Sequence, residues 1–119
     1  MEYERRRQKD TSAAAAQLDY EILQEQAAAL GRLGRALEQA LAALRQFDEK
    51  RHQSGEAYDA AAERAALVDA AGNALWLFVV QREACGLRDM RQVIRDYHVP
   101  AAVQYRMGVF PPKAATPRT

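Results

Sequence analysis

Few residues in this 119-residue chain have types and spacing that could do chemistry. Glu49-Lys50-Arg51-His52 reads Glu-x-x-His, a ligand pair used in di-iron helical bundles. Such sites need two of these pairs and two further carboxylates aimed into a bundle core. Here the pair sits beside Asp48, Lys50 and Arg51, so a solvated helix end is the simpler reading. Cys85, His98 and Asp89 or Asp96 are the one group with the makings of a thiol catalyst. A nucleophilic cysteine needs a histidine in hydrogen-bond reach and an activating environment, which proximity in sequence does not provide. Gly31-Arg32-Leu33-Gly34 matches the GxxG loop of KH domains, but that loop needs neighbouring strands, and the surrounding pattern is helical. Phosphate loops and nucleophile elbows are missing from the sequence. The expectation is therefore a non-enzymatic protein with no metal and no cofactor.

A different chemistry, recognition of nucleic acid, is the runner-up. A short helix near Asp89–Tyr97, a break at Val99-Pro100 and a second short helix to Met107 have the length of a helix-turn-helix. Arg88, Arg91 and Arg95 would supply charge, and Gln104, Tyr105 or Arg106 would read bases. Charge is only modestly supportive. Residues 1–10 carry four basic and three acidic side chains, residues 11–81 six and ten, and residues 82–119 seven and three. The nets are +1, −4 and +4, which add to the +1 of the whole chain. A basic C-terminal region suits an anionic partner without the concentrated patch of a dedicated nucleic-acid binder.

The elements that would hold these residues are helices. Leu30, Leu33, Leu37, Ala40, Leu44 and Phe47 recur in steps of three and four, and Leu41 widens the stripe; this is amphipathic helix spacing. The spacing predicts a first helix over Ser12–His52, capped by the hydroxyl of Thr11 or Ser12. Gln53-Ser54-Gly55 forms a break, and a second helix follows over Glu56–Cys85. Its early half is alanine-rich. Its late half, Leu75–Val80, is apolar on every side and should be covered on every side. Gly86 suits a helix C-cap, Asp89 an N-cap, and Pro100 the first turn of a last helix. The expected organisation is a polar N-terminal arm at 1–11, one helical domain at 12–108 and a Pro-containing tail at 109–119.

A short break makes the long helices antiparallel neighbours, with residue i opposite about 108 − i, because both rise equally. Trp76 then falls between Gly31 and Gly34, which would explain two glycines inside a helix. Residues 12–22 overhang by roughly 16 Å, and the short C-terminal helices would cover that overhang and the Leu75–Val80 collar. An alanine-lined partner looks too narrow to cover Leu30, Leu33, Leu37, Leu41, Leu44 and Phe47. That stripe is accordingly expected to mediate self-association. The expected fold is all-α, a long antiparallel hairpin with two short helices, paired in coiled-coil fashion into a homodimeric bundle. A protein partner of unknown identity would use the basic C-terminal surface.

The single cysteine fits a reducing compartment. The charged start, MEYERRRQKD, lacks the apolar stretch of a secretory signal. The longest apolar run, Ala74–Val80, is far short of the ~20 residues of a membrane span. A cytoplasmic protein with no membrane partner is expected.

Two segments, LDYEILQEQAAALGRLGRALEQALAAL (Leu18–Leu44) and FVVQREACGLRDMRQVIRDYHVP (Phe78–Pro100), resemble a small family of uncharacterised proteobacterial proteins, a domain of unknown function. The resemblance implies a bacterial cytoplasmic protein and brings no activity, ligand or site residue with it.

Overall fold

The computed structural model describes residues 1–54 and 60–109. It contains four helices: α1 (Glu2–Ser54), α2 (Ala60–Ala84), α3 (Met90–Asp96) and α4 (Ala101–Arg106). The described residues contain no strand, and the all-helical class holds. The first boundary of the Gln53-Ser54-Gly55 break differs from expectation, since Gln53 and Ser54 finish α1. Gly55, the predicted start of the second helix at Glu56, and the tail from Phe110 lie outside the described residues.

The first helix begins ten residues earlier than the sequence predicts, so residues 2–11 are a solvated helix start. Glu2 and Glu4 lie in its first turn and Arg51 and His52 in its last, each end carrying the charge that opposes the helix dipole. Thr11 is not a cap. Its hydroxyl donates to the Arg7 carbonyl at 2.8 Å from inside the helix, a back-bond common for threonine in helices. At 1.5 Å per residue α1 is about 80 Å long, and the molecule's longest dimension is 80 Å. The radius of gyration is 21.5 Å, against roughly 14 Å for a compact chain of this length.

α1 and α2 form the antiparallel hairpin, and α4 packs back onto α2. Gly34 faces the Phe78 ring, and Asp48 accepts both arms of a fork from Arg64, at 2.7 and 3.0 Å. The predicted rule paired these residues with Ala74 and Ala60, so both partners lie one helical turn further along α2. α1 reaches Ser54, two residues past the predicted end of the first helix, in the direction of this shift. The fold point moves by about two residues, and the pairing sum by twice that.

The shift changes the role of each glycine. A Cβ on Gly34 would meet the Tyr97 hydroxyl at 3.0 Å and Phe78 at 3.4 Å, so this position makes room for those rings and not for Trp76. Trp76 instead stacks on Gly108, 3.5 Å from where its Cβ would be. Gly31 meets only the guanidinium of its own neighbour Arg35. Gly72, which no spacing rule singled out, is the tightest: its Cβ would stand 2.9–3.0 Å from the Cβ, C and O of Arg106. This absence of a side chain lets α4 lie on α2, and Asp69 fixes it there by accepting from Arg106 Nε at 2.6 Å.

The core is one cluster. Leu37, Leu41 and Leu44 from α1 meet Val68, Ala71, Leu75, Phe78 and Val79 of α2, with Val93, Val99 and Val103 closing it. Leu37, Leu41 and Leu44 are 0, 3 and 2 % exposed within one chain. The expectation that this stripe needs a second molecule is corrected: Gly72 of α2 admits α4, Tyr97 at the end of α3 reaches Gly34 of α1, and Val93, Val99 and Val103 finish the cover. Leu30 and Leu33 pack on the same cluster and Phe47 is half-buried. The collar is less enclosed than expected, since Leu77 and Val80 are 44 and 41 % exposed.

Caps follow the sequence closely. Gly86 takes φ +87° while Leu87 N–H donates to the Arg82 carbonyl at 2.8 Å, a glycine C-cap. Asp89 Oδ1 accepts from the Arg91 N–H at 3.1 Å. His98 ends α3 at φ +51°, with Val99 N–H donating to the Ile94 carbonyl at 3.0 Å; a non-glycine residue holds the left-handed cap, a conformation L side chains rarely adopt.

Two measurements check this packing. Gly72→Ala is expected to lower thermal stability by about 1–2 kcal/mol, because overpacking of about 1–3 kcal/mol outweighs about 1 kcal/mol of helix propensity. Gly31→Ala, facing only a flexible side chain, should raise it by about 0.5–1 kcal/mol; equal effects would contradict the α2–α4 contact. The Asp48–Arg64 pair has a pH signature. The hydrogen bonds from Arg64, aided by the charges of Arg64 and Arg51, hold the Asp48 carboxyl below its ordinary value against a smaller opposing effect of burial. Its contribution is therefore present above the unfolded carboxylate pKa of about 4 and lost as pH falls through the lower folded value. Asp48→Asn should cost under about 1 kcal/mol at neutral pH, as for a part-exposed pair. In urea titrations from pH 7 downward the gap to the parent should close in the acid range; a pH-independent gap would exclude the pair.

Candidate interaction surface

The residues considered for catalysis do not converge. Glu49 and His52 are both solvent-exposed on the last turns of α1. Cys85 is half-buried and its Sγ is 3.7 Å from the Gln81 amide nitrogen, one turn back on the same helix, while His98 is exposed on its turn. Among the described residues no three His, Cys, Asp or Glu side chains gather as a cation cluster.

The helix-turn-helix reading loses two of its residues. Gln104 donates its amide to the Val99 carbonyl at 3.1 Å, and Arg106 is held by Asp69. Both are engaged in holding the short helices down. α4 has six residues, and Val103 beneath it is fully buried. Arg88, Arg91 and Arg95 are exposed, as is Tyr105. The second helix of the motif, α4, packs against α2.

Where α3 meets α1, Glu38, Gln39, Leu41, Ala42, Arg45, Asp96 and Tyr97 line a shallow open cleft. The Tyr97 ring stands edge-on to Phe78 at 5.4 Å between centroids. Burial, and then the charge of Glu38, push its hydroxyl above the ordinary tyrosine range, so it stays neutral and acts as a packing group against Gly34. On the far side of the same ring Arg82 lies 5.7 Å from the Phe78 centroid, a cation–π contact. This corner is structural.

The surface that stands out is the N-terminal half of α1. With Gly34 beside Phe78, the end of α2 at Ala84 lies opposite about residue 28. Residues 2–27 therefore project beyond the hairpin for about 39 Å. Every residue from Met1 to Glu25 is exposed. The short helices do not cover this overhang, contrary to expectation, because they are anchored near Asp69, Gly72 and Trp76 in mid-hairpin. Leu18, Tyr20, Ile22 and Leu23 are 57, 58, 47 and 63 % exposed.

Tyr20 and Leu23 are not scattered surface residues, whereas Leu18 and Ile22, two positions from Tyr20, sit on the opposite side of the helix. The face of α1 that buries Gly34, Leu37, Leu41 and Leu44 under α2 continues toward the N-terminus as Leu30, Ala27, Leu23, Tyr20, Ala16 and Ala13. The steps of three and four run unbroken across the place where α2 ends, as in a coiled-coil seam. One half of a single stripe is covered within the chain and the other half is bare. Sequence reasoning ended the overhang at residue 22 and missed Leu23 as the continuation of the stripe. The signal was present in the seven-residue recurrence of Leu23, Leu30, Leu37 and Leu44.

No described helix is long and apolar enough to cross a membrane. No curated protein and no solved structure compared with the chain matches it. One family model does match, described as a family of unknown function (DUF6665), over residues 6–115. That span includes the projecting half of α1, the hairpin and both short helices, well beyond the two segments that carried the resemblance, and the chain belongs to this family of unknown function.

Proposed function

We propose that this chain is a non-enzymatic interaction module that works by assembly, with the projecting half of α1 as its docking helix. The observation that carries this reading is the bare continuation of the core stripe. Residues 2–27 hold an about 39 Å helix away from the body with Tyr20 and Leu23 in line with Leu37 and Leu44. A lone helix in water is marginal, and most helix stability in proteins comes from burying an apolar face. A helix carrying an apolar stripe beyond its own partner is suited to receive another.

The body supplies what such a module needs. A packed core and two part-buried ion pairs, Asp48–Arg64 and Asp69–Arg106, form a rigid base from which the helix extends. The leucines first expected to do this work are used up inside the base, so the docking role passes to Tyr20 and Leu23.

Sedimentation velocity, which separates shape from mass, of the purified protein and of fluorescently tagged protein in extract of its native organism tests this. A species larger than the 13.3 kDa chain is expected in at least one of the two, and Tyr20→Glu with Leu23→Glu should abolish it while leaving the thermal melt of the body unchanged. Arg91→Ala with Arg95→Ala should leave assembly intact. A monomer in both preparations would overturn the reading.

A further inference from the structure

The charges along the projecting helix point to what covers it. Near its tip Arg5, Arg6, Arg7 and Lys9 outnumber Glu2, Glu4 and Asp10, so residues 1–10 carry a net charge of +1. Asp19, Glu21 and Glu25 form an acidic segment near its base, and no Lys or Arg occurs between Lys9 and Arg32. Between the two segments lies an uncharged stretch, Thr11–Leu18, with four consecutive alanines at Ala13–Ala16. The order is basic, small and neutral, then acidic.

We propose that the helix pairs antiparallel with the same helix of a second copy, crossing at Ala13–Ala16. This rests on the docking role above and names its partner. In that register the basic segment of each copy lies along the acidic segment of the other. Around the crossing, alanines permit close approach, since interaxial distance follows the size of the side chains at the contact. Arg5 and Lys9 continue the stripe of Ala13, Ala16, Tyr20 and Leu23 at steps of four, four, three, four and three. Across the pair Lys9 falls opposite Tyr20, and Arg5 falls near Leu23. Their aliphatic stems cover these two side chains while the charged heads reach the acidic segment. Residues 1–9 of one copy then lie beside about 19–27 of the other, just short of where α2 closes over the stripe near residue 28, so the second copy takes up the line of α2 where α2 stops.

A parallel pair of the same helices would set the net-positive tips against each other, and Asp19, Glu21 and Glu25 of one copy against the same three of the other. Complementary charge mostly fixes orientation and partner choice, so the antiparallel form should also be weakened by salt.

The test uses the full-length chain. One variant carries Arg5→Glu, Arg6→Glu, Arg7→Glu and Lys9→Glu; a second carries Asp19→Lys, Glu21→Lys and Glu25→Lys. In sedimentation equilibrium each alone should self-associate at least about tenfold more weakly than the parent, and an equimolar mixture should recover most of the loss. A nitroxide on Tyr3→Cys, in a Cys85→Ala background, should report an interchain distance of about 35 Å, from the rise along two helices crossing near Ala14. A distance under about 20 Å would mean parallel pairing and would overturn the orientation, as would a mixture that fails to recover. A purified parent that is monomeric yet assembles in native extract would overturn the second copy as partner and leave the docking role standing.

Discussion

The structure depends on one apolar seam, the burial of Leu37, Leu41 and Leu44 of α1 against Val68, Ala71 and Leu75 of α2. Every other contact is placed by the register of that seam. On the α2 side Ala71 and Gly72 interrupt a row of larger residues, and the gap at Gly72 is taken by α4. Gly72 is the extreme case, with the backbone of Arg106 where a side chain would be. Val93, Val99 and Val103 then complete a core that α1 and α2 alone leave open.

Polar contacts act as register marks on this seam. The Arg64 fork on Asp48 holds the closed end of the hairpin, and Asp69 holds Arg106 at the C-terminus of α4. Pairs with a third or more of their side-chain surface in solvent add little net stability. Their value is geometric, since a helix slipped by one turn would leave both arginines without carboxylates. The left-handed turn at His98 serves the same purpose by reversing the chain between α3 and α4 so that Val93, Val99 and Val103 face one way.

Because the seam is short relative to α1, the molecule is asymmetric. α2 is 25 residues long and α1 is 53, so nearly half of the longer helix has no neighbour in its own chain. The apolar stripe does not stop where the neighbour does. That mismatch between stripe and cover connects the fold to a role in assembly, and the segregated charges of the uncovered part give that role a direction.

The sequence by itself determined the helical class, the hairpin, the two short helices and most of the caps, because propensity, three-and-four spacing and the Gly86 and Asp89 signals are local. It also held the recurrence of Leu23, Leu30, Leu37 and Leu44 that defines the seam. Tertiary structure decided which part of that stripe is covered. The answer turned on the register of α2 against α1, which lies one turn from the predicted pairing and carries Phe78, not Trp76, to Gly34. It turned equally on where α3 and α4 dock, which no periodicity specifies because each is only six or seven residues long. Local pattern names a sticky face, whereas only the summed geometry of loops and small residues decides which length of that face remains bare.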